Sequence, residues 1–365
     1  MDIKNEDAVC AVYQQENMEI TSIKNALVIY HREDNDGVCS AAIVSQFLKN
    51  FGNPDVKVRF FGCNYAELSA IWQDHQDCVG SVVKDKLTRW VEDFDHIYMV
   101  DISFNEADAM EYVFKTMPVG CFTWCDHHRP IIEFSLYNAD KYGFGGTPGI
   151  RNTSQSALLN TWEHMTKVSN IGIQPSRSLV MLSDYDSWSW VRKDEYAGDN
   201  KDRLFALNTG FTRRSNLKVN WFEDYILNIL HDNIQGMRTI EDDCLQYGTI
   251  ILEYDRERTT RAIRSHGDLN WTIGGEPACA LFTTDRFNSQ SFTNVFAGSD
   301  IKHGITFKRE PDGRWVLSAY NVSEDSTFDC GAYLKANYGG GGHKGAAGCT
   351  ISQAQFIEML VSHKV

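Results

Sequence analysis

Positive charge is scarce in this sequence: 35 Lys and Arg stand against 49 Asp and Glu, a formal net charge of −14 over 365 residues. An extended, nonspecific grip on duplex DNA needs many cationic phosphate contacts, so stable duplex binding is excluded. A short anionic substrate is not, because bound cations invert the local potential. Long hydrophobic runs are also missing, and the amino terminus is acidic and polar rather than a leader sequence. The expectation is a soluble, cytoplasmic protein with no membrane partner. Ten cysteines in a chain this long make no disulfide framework. Cys39, Cys63, Cys121 and Cys125 fall in or beside expected core elements, as reduced buried thiols do. Cys121 and Cys125 have no second pair at zinc-finger spacing, which argues against a structural zinc site. Internal repeats and low-complexity tracts are absent too.

What remains is the composition of an ordinary globular protein, 42% hydrophobic and 23% charged, with length enough for two domains. From Ala26 to about Trp190, strands alternate with amphipathic helices. Strands are expected at Ala26–Tyr30, Val56–Phe61, Ile97–Val100 and Val119–Trp124. Helices are expected near Ser40–Leu48 (with Ser40 suited to its start), Asn105–Met117, Ser154–His164 and Ser178–Ser183. This alternation reads as an α/β fold with a parallel sheet. The first twenty or so residues read as a loose helix or arm. Trp221 to about Ser265 is long, helical and charged, with Arg256, Arg258, Arg261 and Arg264 on a solvated face. Beyond it, Ala278–Thr283, Ile301–Lys308 and Arg314–Tyr320 look like strands, with a hairpin turn at Asp312-Gly313. The expected domains are residues 1–220, a helical connector over 221–269, and a smaller α/β domain over 270–365.

Three clusters each follow a strand: His31-Arg32-Glu33-Asp34-Asn35-Asp36-Gly37, Val100-Asp101-Ile102-Ser103 and Asp126-His127-His128. Side chains at the carboxyl ends of neighbouring parallel strands converge on one crevice. Carboxylates and imidazoles gathered there call for a cation, and their number suggests two divalent ions. Asp34 and Asp36 are read on a tight turn closed by Gly37, which can face an ion pair or simply be solvated. Asp101 binds metal or caps the following turn through Ser103 and Asn105. Adjacent His127 and His128 point different ways, so one can bind metal while the other meets substrate, with Asp126 orienting an imidazole. In Ser183-Asp184-Tyr185-Asp186, Asp184 is favoured over Asp186 as a further ligand because it follows the apolar stretch more directly. The glycine run 339–342 with His343 can present N–H groups to an anion, and Ala346-Ala347 suggests a helix start there. Trp188 and Trp190 are read as filling a domain interface rather than stacking bases.

Taken in order, His31-x-x-Asp34-x-Asp36-Gly37, Val100-Asp101-Ile102-Ser103, Asp126-His127-His128, Asp184 and Gly340-Gly341-Gly342-His343 with Ala346-Ala347-Gly348 resemble the DHH phosphoesterase superfamily with its DHHA1 domain. The nearest likeness is to its oligoribonuclease-like branch. The resemblance implies a parallel-sheet DHH domain and a smaller DHHA1 domain with the active site in the cleft between them. It implies two manganese ions, one held by His31, Asp34 and Asp101, the other by Asp36, Asp101, His127 and Asp184, with Asp101 bridging. His128 would contact the scissile phosphate or its leaving oxygen, and Gly341, Gly342 and His343 the terminal phosphate or nucleotide. Two departures stand out. Ser318-Ala319-Tyr320-Asn321 occupies the place where many DHHA1 domains carry a phosphate-binding arginine, and Glu33 beside Asp34 is a possible substitute ligand.

The function expected is a manganese-dependent phosphodiesterase that cleaves short oligonucleotides or dinucleotides to mononucleotides. A pyrophosphatase or exopolyphosphatase is the alternative, but it should need more basic residues around the cleft. A nucleotide-binding module without catalysis is a third reading.

Overall fold

The computed structural model describes residues 10–13, 19–78, 85–116, 120–129, 132–133, 147–285, 287–323 and 326–365. Val119 and Met117, at the ends of an expected strand and helix, lie outside these, as does most of the amino-terminal arm. The chain divides into two compact units, Met1–Ile251 and Leu252–Val365.

The first unit runs β1 (Cys10–Tyr13), β2 (Asn25–His31), α1 (Asn35–Phe51), β3 (Lys57–Cys63), α2 (Tyr65–Asp77), α3 (Lys86–Asp93), β4 (His96–Val100), α4 (Ala107–Thr116), β5 (Phe122–Cys125), β6 (Gly149–Asn152), α5 (Ala157–Val168), α6 (Arg177–Asp186), α7 (Asp199–Ser215) and α8 (Val219–Leu230). The helix α9 (Ile234–His266) follows and carries the boundary between the units. Four strands form a parallel sheet in the order β3-β2-β4-β5. Side chains alternate across it as the two-residue strand period requires. Ala26, Val28, Tyr98, Val100 and Cys125 face a core built with α1, α5, α6 and α8. Leu27, Ile29, Ile97, Met99, Phe122 and Trp124 face another built with α2, α3 and α4. A sheet covered on both faces explains the nearly unbroken apolar runs in β2 and β4.

Helix α1 is buried from Asn35 to Leu48 on every side, which is why its apolar residues form no single stripe; Asn35, Asp36, Ser40, Ser45 and Gln46 are its buried polar residues. It begins at Asn35, before the Ser40 expected to start it, because Asp34 is the N-cap: its carboxylate accepts the Gly37 amide at 3.0 Å. The amino-terminal arm contributes a strand, since β1 pairs antiparallel with β6. The chain goes from β2 to β3 on one side of β2, then to β4 on the other. The order therefore reverses at β2/β4, the position where open parallel sheets leave a crevice beyond their carboxyl ends.

The second unit continues with β7 (Asp268–Ile273), β8 (Glu276–Phe282), α10 (Ser289–Phe296), β9 (His303–Arg309), β10 (Trp315–Asn321), α11 (Cys330–Tyr338), β11 (Gly341–His343), β12 (Ala346–Ile351) and α12 (Gln353–Ser362). Its six strands lie in the order β11-β12-β10-β9-β8-β7, antiparallel except for β8 and β9. One face packs against α11 and α12 and the other against α10 and the end of α9. The turn at Asp312-Gly313 joins β9 and β10, with Gly313 at φ +85°. The glycine run departs from expectation: Gly341–His343 is a strand paired with Ala346–Gly348, so Ala346-Ala347 extends a hairpin and starts no helix. Gly342, at φ +143°, lets the two strands close, since a Cβ there would lie 2.6 Å from the Ala347 Cα. No described helix is long and apolar enough to cross a membrane.

Candidate metal centre

The carboxyl ends of β2, β4 and β5 bring His31, Asp101 and His127 together. His31 Nδ1 lies 2.8 Å from Asp34 Oδ2 and 3.7 Å from Asp101 Oδ2. His127 Nε2 lies 3.3 Å from Asp101 Oδ1, 3.3 Å from Asp186 Oδ2 and 3.8 Å from Asp36 Oδ2. The two oxygens of Asp101 thus face two separate groups, His31 with Asp34 and His127 with Asp36 and Asp186. Asp101 holds this position at φ +57°, a left-handed conformation rare for a residue with a side chain. Its backbone N–H donates to the Cys125 carbonyl at 3.0 Å, which ties the bend to the neighbouring strand end.

Asp36 is fixed from outside its own helix. Its carboxylate accepts Ser156 Oγ at 2.5 Å and the amides of Ala157 at 2.9 Å and Leu158 at 2.8 Å. It therefore caps the amino end of α5, where unpaired N–H groups and the helix dipole favour an anion.

The donor set fits divalent cations. Asp36 and Asp101 are buried, and Asp101 Oδ1 has no hydrogen bond among the described residues although it is shielded from solvent. Burial and the neighbouring carboxylates push Asp36 up and Asp101 and Asp186 well up from the usual carboxylate range. Burial alone would lower the His31 pKa, but the neighbouring Asp101 and Asp34 carboxylates outweigh it and hold the imidazole at about 10. Such a cluster, without a cation, keeps protons that a metal would displace. Among the described residues, three groupings have ligand atoms within 4.8 Å of one another: His31/Asp34/Asp101, Asp36/His127/Asp186 and Asp101/His127/His128.

In the third grouping, His128 has partners of its own. Its Nδ1 is 2.7 Å from Asp126 Oδ1 and its Nε2 is 3.1 Å from the Tyr65 hydroxyl. Both ring nitrogens of His128 thus have side-chain partners in the crevice. Asp126 is fully buried and also accepts the His127 and His128 amides and the Trp124 indole N–H. Against the opposing effect of burial, the adjacent imidazoles hold its carboxyl at about 2. Asp126 is thus an ionised carboxylate held against the His128 ring.

Of the ligands expected from the sequence, His31, Asp34, Asp36, Asp101 and His127 converge. Asp184 does not. Its carboxylate is held by Ser189 Oγ at 2.7 Å, Lys193 Nζ at 2.6 Å and Tyr196 Oη at 2.6 Å, while Asp186 reaches His127. Two residues apart on a helix point roughly 200° apart, so only one of the pair can face the cluster. Glu33 lies outside the three groupings, its carboxylate accepting from Asn64 Nδ2 at 3.0 Å. Gly341, Gly342 and His343 belong to the second unit, in the hairpin described above. Ser156 and Tyr65 were missed. Tyr65 follows the carboxyl end of β3, whose Cys63 pairs with His31, so the rule that found the other clusters would have found it too.

The fold and these side chains define an α/β protein with a carboxylate–histidine centre at the sheet's switch point. No protein-family model and no curated protein matches the chain. Solved structures similar to it include a pGpG-specific phosphodiesterase, PggH, from Vibrio cholerae (16% identity, 93% of this chain and 97% of that one, TM-score 0.44). Others are an exopolyphosphatase-related protein from Bacteroides fragilis (12%, 94% and 92%, TM-score 0.44) and a DHH domain from a member of a family of ribosomal proteins (13%, 93% and 85%, TM-score 0.48). At these identities and TM-scores the likeness carries no argument about activity, and the functional reading rests on the side chains.

Proposed function

We propose that this chain is a divalent-metal-dependent phosphodiesterase, with manganese the fitting metal, that cleaves short oligonucleotides or dinucleotides to mononucleotides. The observation that carries the reading is Asp101, buried between two ligand groups with one oxygen toward each. A mixed imidazole–carboxylate shell suits manganese better than calcium or structural zinc. Two cations held there would lower the pKa of a shared water and neutralise charge on phosphoryl oxygens.

The chain's own residues do the rest. His31 and Asp34 hold one site, and Asp36, His127 and Asp186 the other. The Asp36 carboxylate is locked by Ser156 and the start of α5, so its oxygens keep their direction. His128, with Asp126 behind Nδ1 and Tyr65 at Nε2, is the group suited to hydrogen-bond or protonate the leaving oxygen. In the second unit, Gly341 has open space where a side chain would stand, which supports a role for Gly341, Gly342 and His343 in backbone contact with a terminal phosphate or nucleotide. The acidic balance of the chain supports a small substrate over a long one.

Manganese-loaded protein should be offered labelled RNAs from the dinucleotide to about a twenty-mer, with cyclic dinucleotides and polyphosphate alongside. Mononucleotides released fastest from the shortest RNAs support the proposal. Turnover of polyphosphate alone would transfer the same centre to the exopolyphosphatase reading.

A further inference from the structure

Trp188 is a feature of this region that the metal centre does not use. It is 50% exposed, although most tryptophans here are packed inside. Its backbone sits at φ +55°, ψ +18°, left-handed geometry that glycine or asparagine adopts readily and a bulky residue does not. The conformation is held from both sides. The Trp188 N–H donates to the Tyr185 carbonyl at 3.3 Å, and the Val191 N–H donates to the Trp188 carbonyl at 3.3 Å. Beyond it, Ser189 is tied to Asp184, and Trp190 is buried edge-on against Phe205 with ring centroids 5.3 Å apart. Trp190 thus anchors the segment in the core of the first unit, and the Trp188 ring leans on it, centroids 5.9 Å apart at 33°, while half of the Trp188 surface stays in water.

A tryptophan so placed follows Asp186 by two residues, so their Cα atoms are at most about 7.6 Å apart. Asp186 reaches His127 at 3.3 Å in the candidate centre. An outlying backbone conformation that leaves an aromatic ring exposed beside a reactive site points to function before stability. Resting on the phosphodiesterase reading above, we infer that Trp188 is a specificity residue whose ring stacks on a nucleobase flanking the scissile phosphate. The substrate class is then a nucleotide ester with an aromatic base, not a chain of inorganic phosphates. Stacking is tolerant of base identity because every base has a π-face, so this contact selects for a base rather than for a sequence.

The test compares a dinucleotide with its doubly abasic analogue, using manganese-loaded wild type, W188L and W188F. Leucine keeps apolar bulk and removes the ring face, while phenylalanine keeps a face. Loss of a stacked base costs roughly tenfold or more in KM. Wild type should therefore favour the dinucleotide by at least that factor, W188L should lose most of the preference, and W188F should stay within about threefold of wild type. A W188L enzyme with unchanged KM for the dinucleotide overturns the assignment, as does an equal rise for both substrates, which marks a merely structural role. A second measurement is independent of turnover: a non-hydrolysable dinucleotide phosphonate should quench tryptophan fluorescence in wild type and not in W188F, and equal quenching in both overturns the assignment. Wild type that hydrolyses tripolyphosphate but no dinucleotide overturns the nucleotide reading itself, and this inference with it.

Discussion

Asp184 and Asp186 show how much one residue's direction decides. Asp186 faces the centre, so D186N should lower manganese affinity and cut turnover by at least about a hundredfold, with little change in folding stability. Asp184 instead gathers Ser189, Lys193 and Tyr196. D184N should therefore cost about 1–3 kcal/mol of stability through strained or lost bonds to a buried carboxylate while leaving manganese binding near wild type. Isothermal titration with manganese and urea unfolding of both variants separate the two roles; a reversed pattern would return the ligand to Asp184. Tyr65 supports a second expectation at this scale. Its hydroxyl lies 3.1 Å from His128 Nε2 and so aligns the ring, and burial, reinforced by nearby carboxylates, pushes its pKa far above the usual range, so the phenol keeps its proton. Y65F should lower kcat about tenfold with unchanged manganese affinity, the effect of losing one aligning hydrogen bond. An unchanged kcat would remove Tyr65 from the site.

At the level of elements, the decisive joint is between β2 and α1. Gly37 sits where any Cβ would lie 2.1 Å from the His31 carbonyl oxygen. The helix can therefore start four residues after the strand's last residue, at Asn35 after His31, and Asp34 and Asp36 both reach the crevice. G37A must push the helix start away from the strand. We expect a loss of about 2–3 kcal/mol in urea unfolding, typical of forced overpacking, together with at least tenfold weaker manganese binding. Wild-type binding in G37A would show that the joint tolerates displacement. This joint was half legible in the sequence. His31, Asp34, Asp36 and Gly37 are recognisable because their types and spacing follow a strand, yet reading them as a turn with the helix starting near Ser40 overlooked Asp34 as a cap. The strands β2, β4 and β5 were legible for the same reason, since a buried parallel strand is an apolar run with a polar cluster at its end. Ser156 was not, because its partner Asp36 lies far away in the chain and no local pattern announces a carboxylate held by another helix's first turn. Nor was the glycine hairpin, where Ala346-Ala347 carries helix propensity that strand pairing overrides.

Across the whole molecule, acid should act on the first unit through groups remote from the crevice. His96 and His164 are buried in it, and burial, with the neighbouring histidine for His96 and Arg151 for His164, lowers each to about 3. His96 Nε2 has Thr123 Oγ1 at 2.9 Å, whereas His164 Nε2 has no hydrogen bond among the described residues. A histidine whose folded pKa lies below its unfolded value of about 6.5 binds its proton more readily when unfolded. Its contribution is complete above pH ~6.5 and is lost as pH falls toward 3. The carboxylates of the centre act with the opposite sign in the metal-free protein. Asp36, Asp101 and Asp186 have raised folded values, so they favour the folded state at low pH and lose that contribution as pH rises through their folded pKa values. The total slope of stability against pH therefore mixes two sources, and only a difference between variants isolates one. In H164N the drop in unfolding free energy between pH 6.5 and pH 5 should be smaller than in wild type by about 1.6 kcal/mol, the unfolded imidazole being half protonated at the start of that interval and almost fully protonated at its end. Urea unfolding of the metal-free proteins at several pH values reads this directly. Parallel profiles would mean that His164 gains its proton without unfolding, and the acid sensitivity of the first unit would then have to come from His96 or from ionised carboxylates such as Asp126, whose folded value near 2 puts its window below the usual carboxylate range.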